Sequence, residues 1–209
     1  MDSLTDYLTR LASKTPTPGG GSAATIVGAS GAALVAMVAR INLDNPKRAA
    51  QHPLARELAA KADALRAQLE AARVKDEAAF GAVVAAQALP KASEAEVAAR
   101  QSALERALTH AAAEPLHAAR LALDVLALAH RSLDIPNRNL ASDLGCAAEF
   151  AAAALAACAY NVRVNHRFMR DAATIASQAN ELARYERRSA ALVQAVRTAV
   201  AKLLAAGAP

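Results

Sequence analysis

Hydrophobic and polar residues alternate along this chain with the spacing of α-helices rather than β-strands. Near the N-terminus, Leu4, Leu8 and Leu11 recur at intervals of three and four residues, which places them on one side of a helix over 2–13. Runs of β-branched residues with period-two alternation, the pattern typical of half-buried strands, do not occur in the sequence. The pattern therefore predicts an all-α protein.

About seven helices follow from this periodicity and from the residues that interrupt it. The Asp-Asn-Pro segment 44–46 ends the second helix, Pro90 ends the third, and Ser93 with Glu96 forms a capping box for the next. Pro115 is predicted to lie near the start of another helix, where proline is tolerated. The predicted helices cover about 2–13, 22–43, 53–89, 93 to just before 115, 115–132, 142–167 and 171–204.

Two predicted helices contain segments that are apolar on nearly all sides, 22–39 and 147–159. A helix without a polar face is buried, so both are expected in the core. No linker or repeat divides the chain, and residues 1–209 are predicted to form a single domain. Small residues every four positions would let a helix of this chain, or of a second copy in a homodimer, approach closely: Ala24, Gly28, Ala32 and Ala36.

The composition changes this picture only slightly. The net charge of +5 comes from lysines and arginines dispersed among acidic residues, and aromatic residues make up 3% of the chain. Nucleic-acid binding usually needs clustered charge or stacking aromatics, so no nucleic-acid partner is expected. The uncharged interval 15–39 has too few apolar residues after its Pro- and Gly-rich start to span a membrane, which takes about 20. We therefore predict a buried helix and no membrane partner.

The cysteines and histidines predict neither a disulfide nor a metal site. Cys146 and Cys158 are twelve residues apart on one predicted helix, roughly 18 Å along its axis, so they cannot form an intrachain disulfide. They are expected to be buried free thiols, and with an N-terminus that lacks a basic leader segment they favour a cytoplasmic protein. The five histidines do not have the spacing of metal ligands, so no metal is expected.

The segment Pro16-Thr17-Pro18-Gly19-Gly20-Gly21-Ser22 is the most distinctive part of the sequence. Ser22 is predicted to cap the following helix, whose free N–H groups and dipole would then favour an anion. The alternative is a plain connector. No Lys-Ser or Lys-Thr follows at the spacing of a nucleotide-binding P-loop, and no strand precedes the glycines as dinucleotide-binding loops require. Both of those classes are excluded.

Together with later motifs, this segment resembles the opening of the cyclodeaminase/cyclohydrolase family. The later matches are the Asp-x-x-Ala-Phe motif at 76–80, Leu-Pro-Lys at 89–91, Pro-Leu at 115–116, Asn137 with Ser-Asp at 142–143, and the Asn-Val-x-Val-Asn motif at 161–165. The resemblance implies an all-helical dimer that acts on tetrahydrofolates. Its members either close formiminotetrahydrofolate with loss of ammonia or open the methenyl bridge with water.

Both reactions need proton transfers at a tetrahedral carbon between two nitrogens, for which a partly desolvated carboxylate is suited. Asp76 is the first candidate, because it lies in the family-like motif with Phe80 one turn further along the helix. Asp143 is the second, although its position near a helix start also suits capping. No metal is needed for this chemistry.

The resemblance also suggests residues that bind the folate substrate. We expect the loop to line the site and Lys47 to approach the anionic tail, although the 44–48 segment departs from the lysine-rich, aromatic-ended pattern of relatives. Asn165 is expected to join two helices, whereas Asn161 is either such a strut or a ligand contact. The complete predicted substrate-binding set is Pro18, Gly19, Gly20, Gly21, Ser22, Lys47, Phe80, Asn137, Ser142 and Asn161.

Three functions remain open on the sequence alone. The first is a folate enzyme, either a methenyltetrahydrofolate cyclohydrolase or a formiminotetrahydrofolate cyclodeaminase. The second is a non-catalytic helical dimer that binds folate or a small anion and acts through partners. The third and weakest is a structural helical dimer whose basic surface meets nucleic acid or membrane, and the dispersed charge argues against it.

Overall fold

Six α-helices account for most of residues 3–205, the part of the chain that the computed structural model describes, and no strand occurs there. Short 3₁₀ segments lie at Pro46–Gln51, Ser132–Asp134 and Arg138–Leu140. The all-α prediction is confirmed. The α-helices are α1 Leu4–Leu11, α2 Gly20–Leu43, α3 His52–Gln87, α4 Glu94–Arg131, α5 Ala141–His166 and α6 Ala172–Ala205.

Helix α2 lies at the centre of the bundle and packs on α3, α4 and α5. Its small residues make this possible. A Cβ at Gly28 would meet the Leu69 side chain at 3.3 Å and Ala154 Cβ at 3.4 Å, and one at Gly31 would lie 2.9 Å from the Ala147 carbonyl oxygen. The stripe of small residues is thus buried against helices of the same chain, and it is not available as the seam of a homodimer.

Helix α4 continues through Pro115, so the prediction of a helix start at this residue is wrong. Proline has no N–H to donate to the carbonyl four residues earlier, which belongs to Ala111. Nδ2 of Asn165 in α5 donates to that Ala111 oxygen over 2.9 Å. A side chain from the neighbouring helix therefore satisfies the carbonyl that the proline leaves free, and the predicted role of Asn165 in joining two helices is confirmed.

The two most apolar helices are buried to different extents. By length and composition alone, the segments Gly20–Leu43 and Arg138–His166 could each cross a membrane, and their most apolar windows are 61% and 39% buried within the structure. The small-residue stripe of α2 is buried as predicted, but Val27, Ala33 and Ile41 are exposed, so the helix is not buried on all sides. On α5, Cys158 is buried as expected, but Cys146 is exposed, because it lies on the side of the helix that faces away from the bundle.

Candidate functional site

A cavity of about 270 Å³ lies where the loop before α2 meets α3, α4 and α5. One face of α3 provides a wall, with side chains spaced four, three and four residues apart, so that they point the same way. These residues are Asp76, Phe80, Val83 and Gln87. Leu108 and Ala111 of α4 form the apolar side opposite.

The other walls come from the loop and from the end of α5. Thr17, Gly19, Gly20 and Gly21 line one end of the cavity, and the Thr17–Pro18 peptide bond is cis. Asn161, Val164 and Asn165 of α5 line another side, followed by Phe168 just beyond the helix. Among the described residues that line the cavity, Asp76 is the one with an ionisable side chain.

The carboxyl group of Asp76 is held in an environment that favours its protonated form. Burial raises its pKa to about 6, and the nearby charges of Glu77 and Glu114 act in the same direction. A hydrogen bond from the Ser22 backbone N–H opposes them. A carboxyl group with a pKa near neutrality can both accept and return a proton, as general acid–base catalysis requires.

Asp76 also replaces the missing cap of α2. The N-cap residue of this helix is Gly19, which has no side chain to bond to the free N–H groups of the first turn. The Asp76 carboxylate reaches one of them, the N–H of Ser22, from α3. A negative charge is favoured at this end of the helix dipole.

The prediction that Ser22 caps α2 is wrong, because the helix begins two residues earlier, at Gly20. Ser22 lies inside the first turn and is fully buried. Its hydroxyl donates to Glu77 Oε1 over 2.8 Å and lies 3.0 Å from the Tyr7 hydroxyl of α1. Ser22 therefore holds the walls of the cavity together and does not line it.

The amides and aromatic rings of the cavity are placed to contact a flat, polar ligand. Nδ2 of Asn161 donates to the Ala157 carbonyl, and the Asn161 side chain lies beside Gly20. Phe80 is 40% exposed and Phe168 is 65% exposed. Two of the three phenylalanines in the sequence therefore line this one cavity, where their rings remain accessible.

Several predicted site residues lie elsewhere. Ser142 is exposed and Asp143 partly exposed in the first turn of α5. Nδ2 of Asn137 donates to Oδ1 of the buried Asn42, and the Lys47 backbone N–H bonds to the Asn45 side chain. Pro18, within the loop itself, is buried and does not line the cavity. The structure therefore brings Asp76, Phe80, Asn161 and the glycines together, and it does not bring the other residues to the cavity.

Gln87 and Phe168 are among the lining residues that the sequence did not predict. Gln87 is eleven residues after Asp76, about three helical turns, so the helical period could have placed it on the same face. Phe168 follows the end of α5 at Arg167, and no helical period extends to it. Its place at the cavity follows from the tertiary packing alone.

Comparison with known proteins assigns this chain to a family. The family model described as formiminotransferase-cyclodeaminase matches residues 3–184. The chain belongs to this family. It is also 37% identical over 181 residues to a methenyltetrahydrofolate cyclohydrolase of Methylorubrum extorquens, which covers 87% of each chain. The resemblance read from the sequence motifs is confirmed.

Two more distant relatives also match this chain, one in sequence and one in structure. A formimidoyltransferase-cyclodeaminase of Rattus norvegicus is 30% identical over 169 residues, which are 81% of this chain but 31% of that protein. The crystal structure of a formiminotetrahydrofolate cyclodeaminase from Thermotoga maritima superposes with a TM-score of 0.87 at 28% identity, covering 97% of this chain and 98% of the other. The fold is therefore shared over nearly the whole length.

Metal ligands are not grouped in the described part of the chain, since no three His, Cys, Asp or Glu side chains there are placed to hold an ion. Within the cavity, Asp76 stands among amides, glycines and apolar residues. The site is thus built around one carboxyl group.

Proposed function

We propose that this protein is a folate one-carbon enzyme that opens the methenyl bridge of methenyltetrahydrofolate at the cavity around Asp76. The observation that carries the proposal is the single carboxyl group, with a pKa of about 6, in a cavity whose other described lining residues are uncharged. The methenyl bridge is a cationic amidinium, so a carboxylate without a competing cation is suited to bind it. The relative from Methylorubrum extorquens, similar in length, supports this choice.

The proposed reaction begins with water at the bridging carbon. The Asp76 carboxylate accepts a proton from this water as its oxygen bonds to carbon, which gives a neutral tetrahedral intermediate. The carboxyl group then returns a proton to N5 as the bond between N5 and the carbon breaks. The intermediate's hydroxyl proton leaves to solvent as the formyl carbonyl forms, so the overall step consumes water and releases one proton.

The remaining lining residues would orient the substrate. The rings of Phe80 and Phe168 can pack on flat aromatic groups. The amide groups of Asn161 and Gln87 provide donors and acceptors for the polar edge of the pterin ring. Gly20, the first residue of α2, would let the substrate approach the backbone closely, because it has no side chain beside that of Asn161.

Formiminotetrahydrofolate cyclodeaminase activity is the second candidate, and the match to the Thermotoga maritima structure favours it. Asp76 could serve there too, since ring closure passes through the same tetrahedral carbon and expels ammonia after a proton transfer. Ammonia release from formiminotetrahydrofolate distinguishes the two activities.

The test is the loss of near-ultraviolet absorbance of methenyltetrahydrofolate with purified protein, compared with the buffer rate. Asp76→Asn should lower turnover by about a hundredfold or more, as loss of an acid–base group does. Asp143→Asn is the matched control and should retain turnover, since Asp143 lies outside the cavity. No acceleration by the wild-type protein, with folate still raising the melting temperature, would instead indicate a non-catalytic binding protein.

The same proposal includes a cytoplasmic homodimer. Both cysteines are free thiols, which suits a reducing compartment. Helices α2 and α5 carry adjoining exposed apolar residues, since a Cβ at Gly31 would lie 3.5 Å from Phe150 Cβ. We name this surface the α2/α5 face and define it by five exposed residues: Val27, Ala33, Ile41, Phe150 and Tyr160. An apolar surface of this kind is typical of subunit contacts.

A further inference from the structure

The carboxylates of Asp76 and Glu77, although adjacent in sequence, point into different parts of the structure. Successive residues of a helix point about 100° apart, so Asp76 faces the cavity while Glu77 turns away from it and does not line it. Glu77 accepts hydrogen bonds from the Ser22 hydroxyl over 2.8 Å and from Nη1 of Arg73 over 2.9 Å. Both bonds end on Oε1 of Glu77, so this oxygen is held within the protein, next to the proposed catalytic group.

Ser22 holds both carboxylates at once. Its backbone N–H bonds to Asp76, and its hydroxyl bonds to Glu77. An ionised carboxylate only accepts hydrogen bonds, so the Ser22 hydroxyl proton points to Glu77 and the Tyr7 hydroxyl, 3.0 Å away, must donate to the Ser22 oxygen. The hydrogen bonds therefore run in one direction, with Tyr7 donating to Ser22 and Ser22 donating to Glu77.

Arg73 closes this network. Besides its bond to Glu77, its guanidinium lies over the Tyr7 ring, 5.6 Å from the ring centroid, a distance at which a cation is attracted to the ring face. Tyr7, Ser22 and Glu77 come from α1, α2 and α3 respectively. The network thus fixes the first turn of α2 against the part of α3 that carries Asp76.

The groups that surround the Asp76 carboxyl and bear on its charge come from four helices. Glu77 on α3 and Glu114 on α4 both raise the pKa of Asp76. On α5, burial and the Asp76 charge raise the pKa of the Cys158 thiol to about 12, so this thiol stays neutral. Helix α2 contributes the Ser22 N–H, which acts in the opposite direction.

We propose that Glu77 is a positioning residue for Asp76, held in place by Ser22, Tyr7 and Arg73, and that it acts without touching the substrate. Through Ser22 it keeps the first turn of α2 aligned with the Asp76 carboxylate. Through its charge it favours the protonated form of Asp76. This role rests on the proposed function of Asp76, but its charge effect can be measured without substrate.

The first test is a titration of Asp76 by NMR of carboxyl-labelled aspartate, with its signal assigned by its disappearance in Asp76→Asn. Glu77→Gln keeps the shape and hydrogen-bonding oxygen of the side chain and removes its charge, so the Asp76 midpoint should fall by about half a pH unit or more. Glu70→Gln is the matched control: Glu70 pairs with Arg66 at 2.9 Å with the same spacing, one heptad earlier on α3. It should leave the midpoint unchanged.

The second test separates positioning from stability. Ser22→Ala removes the hydroxyl but keeps the N–H, and it should lower kcat about tenfold while KM changes less than about twofold, because misplacing a catalytic group affects the reacting geometry more than binding. Tyr7→Phe should give a smaller loss in the same direction. An unchanged midpoint in Glu77→Gln, or Ser22→Ala with a lower melting temperature but unchanged kcat, would overturn the proposal. An inactive wild-type protein with the expected midpoint shift would refute only the proposed reaction.

Discussion

Gly21 leaves the space that the Asp76 carboxylate occupies. A Cβ built at Gly21 would lie 2.6 Å from Oδ2 and 2.7 Å from Cγ of Asp76, and closer still to Oδ1. Gly21 does not have a positive φ, so glycine is needed here for close approach and not for an unusual backbone conformation. The Asp76 carboxylate can reach the Ser22 N–H because Gly21 has no side chain.

Gly21→Ala should displace the Asp76 carboxylate from the first turn of α2. The new Cβ would lie too close to the Asp76 carboxylate, so the carboxylate would move and its capping bond to α2 would be lost. We therefore expect turnover to fall at least about tenfold and the melting temperature to fall. Thermal melts and the absorbance assay measure the two effects.

Gly81→Ala is the matched control on α3. A Cβ at Gly81 meets nothing within 4 Å, so alanine should stabilise the helix by up to about 1 kcal/mol through its higher helix propensity. Turnover should stay at the wild-type value. Equal behaviour of the two alanine variants would contradict the close approach of Gly21 and Asp76.

The pKa of Asp76 predicts how stability depends on pH. Burial, followed by nearby negative charge, raises this pKa in the folded state from its ordinary value of 3.8 to about 6. Between these values the folded state binds more protons than the unfolded state, so the contribution of Asp76 to stability is full below about pH 4 and is lost as the pH rises through about 6.

Asp76→Asn removes this dependence. The melting temperature of the variant relative to wild type should therefore be more favourable at pH 7.5 than at pH 4. Calorimetric melts of both proteins at the two pH values measure the difference. A constant difference between variant and wild type would mean that Asp76 titrates alike in the folded and unfolded states.

The helical fold was predictable because alanine-rich, 3.6-residue periodicity gives the same answer locally and globally. The ends of α2 near 43 and of α4 near 132 follow from turn residues and agree with the structure. The capping box of Ser93 and Glu96 is also confirmed. Asp76 and Phe80 could be placed together because they are four residues apart on one helix.

Other features depend on contacts between helices that the sequence does not show. Ser22 looks like a cap, but the cap of α2 comes from Asp76, fifty-four residues later in the chain. Pro115 looks like a helix start, but Asn165 compensates for its missing N–H. In both cases a distant side chain replaces a local interaction, so local rules gave the wrong boundary.

Phe168 should contribute to substrate binding more than to chemistry. Phe168→Ala should raise KM by about tenfold with little change in kcat, since burying an aromatic side chain on a ligand contributes about 1.5 kcal/mol or more. Phe168→Tyr retains the ring and should restore KM. Leu204→Ala truncates a side chain that is 59% exposed on α6, away from the cavity, and should leave KM unchanged.

The α2/α5 face should hold two copies of the chain together. Phe150→Glu introduces a charge on this face and should convert a dimer to monomers, which light scattering coupled to size-exclusion chromatography measures directly. Leu204→Glu, an equally drastic change at an exposed site on α6, should leave the dimer intact. A wild-type protein that is monomeric at micromolar concentration would refute the proposed homodimer.

The compensation between Pro115 and Asn165 can be measured with a double-mutant cycle. Asn165→Ala leaves the Ala111 carbonyl without its 2.9 Å donor, which should lower the free energy of unfolding by about 1–2 kcal/mol. In a Pro115→Ala background the alanine N–H can donate to the same carbonyl, so the cost of Asn165→Ala should be smaller. Denaturant unfolding of the four proteins gives the coupling energy. Strictly additive effects would show that the helix tolerates the free carbonyl and that Asn165 joins α4 and α5 for another reason.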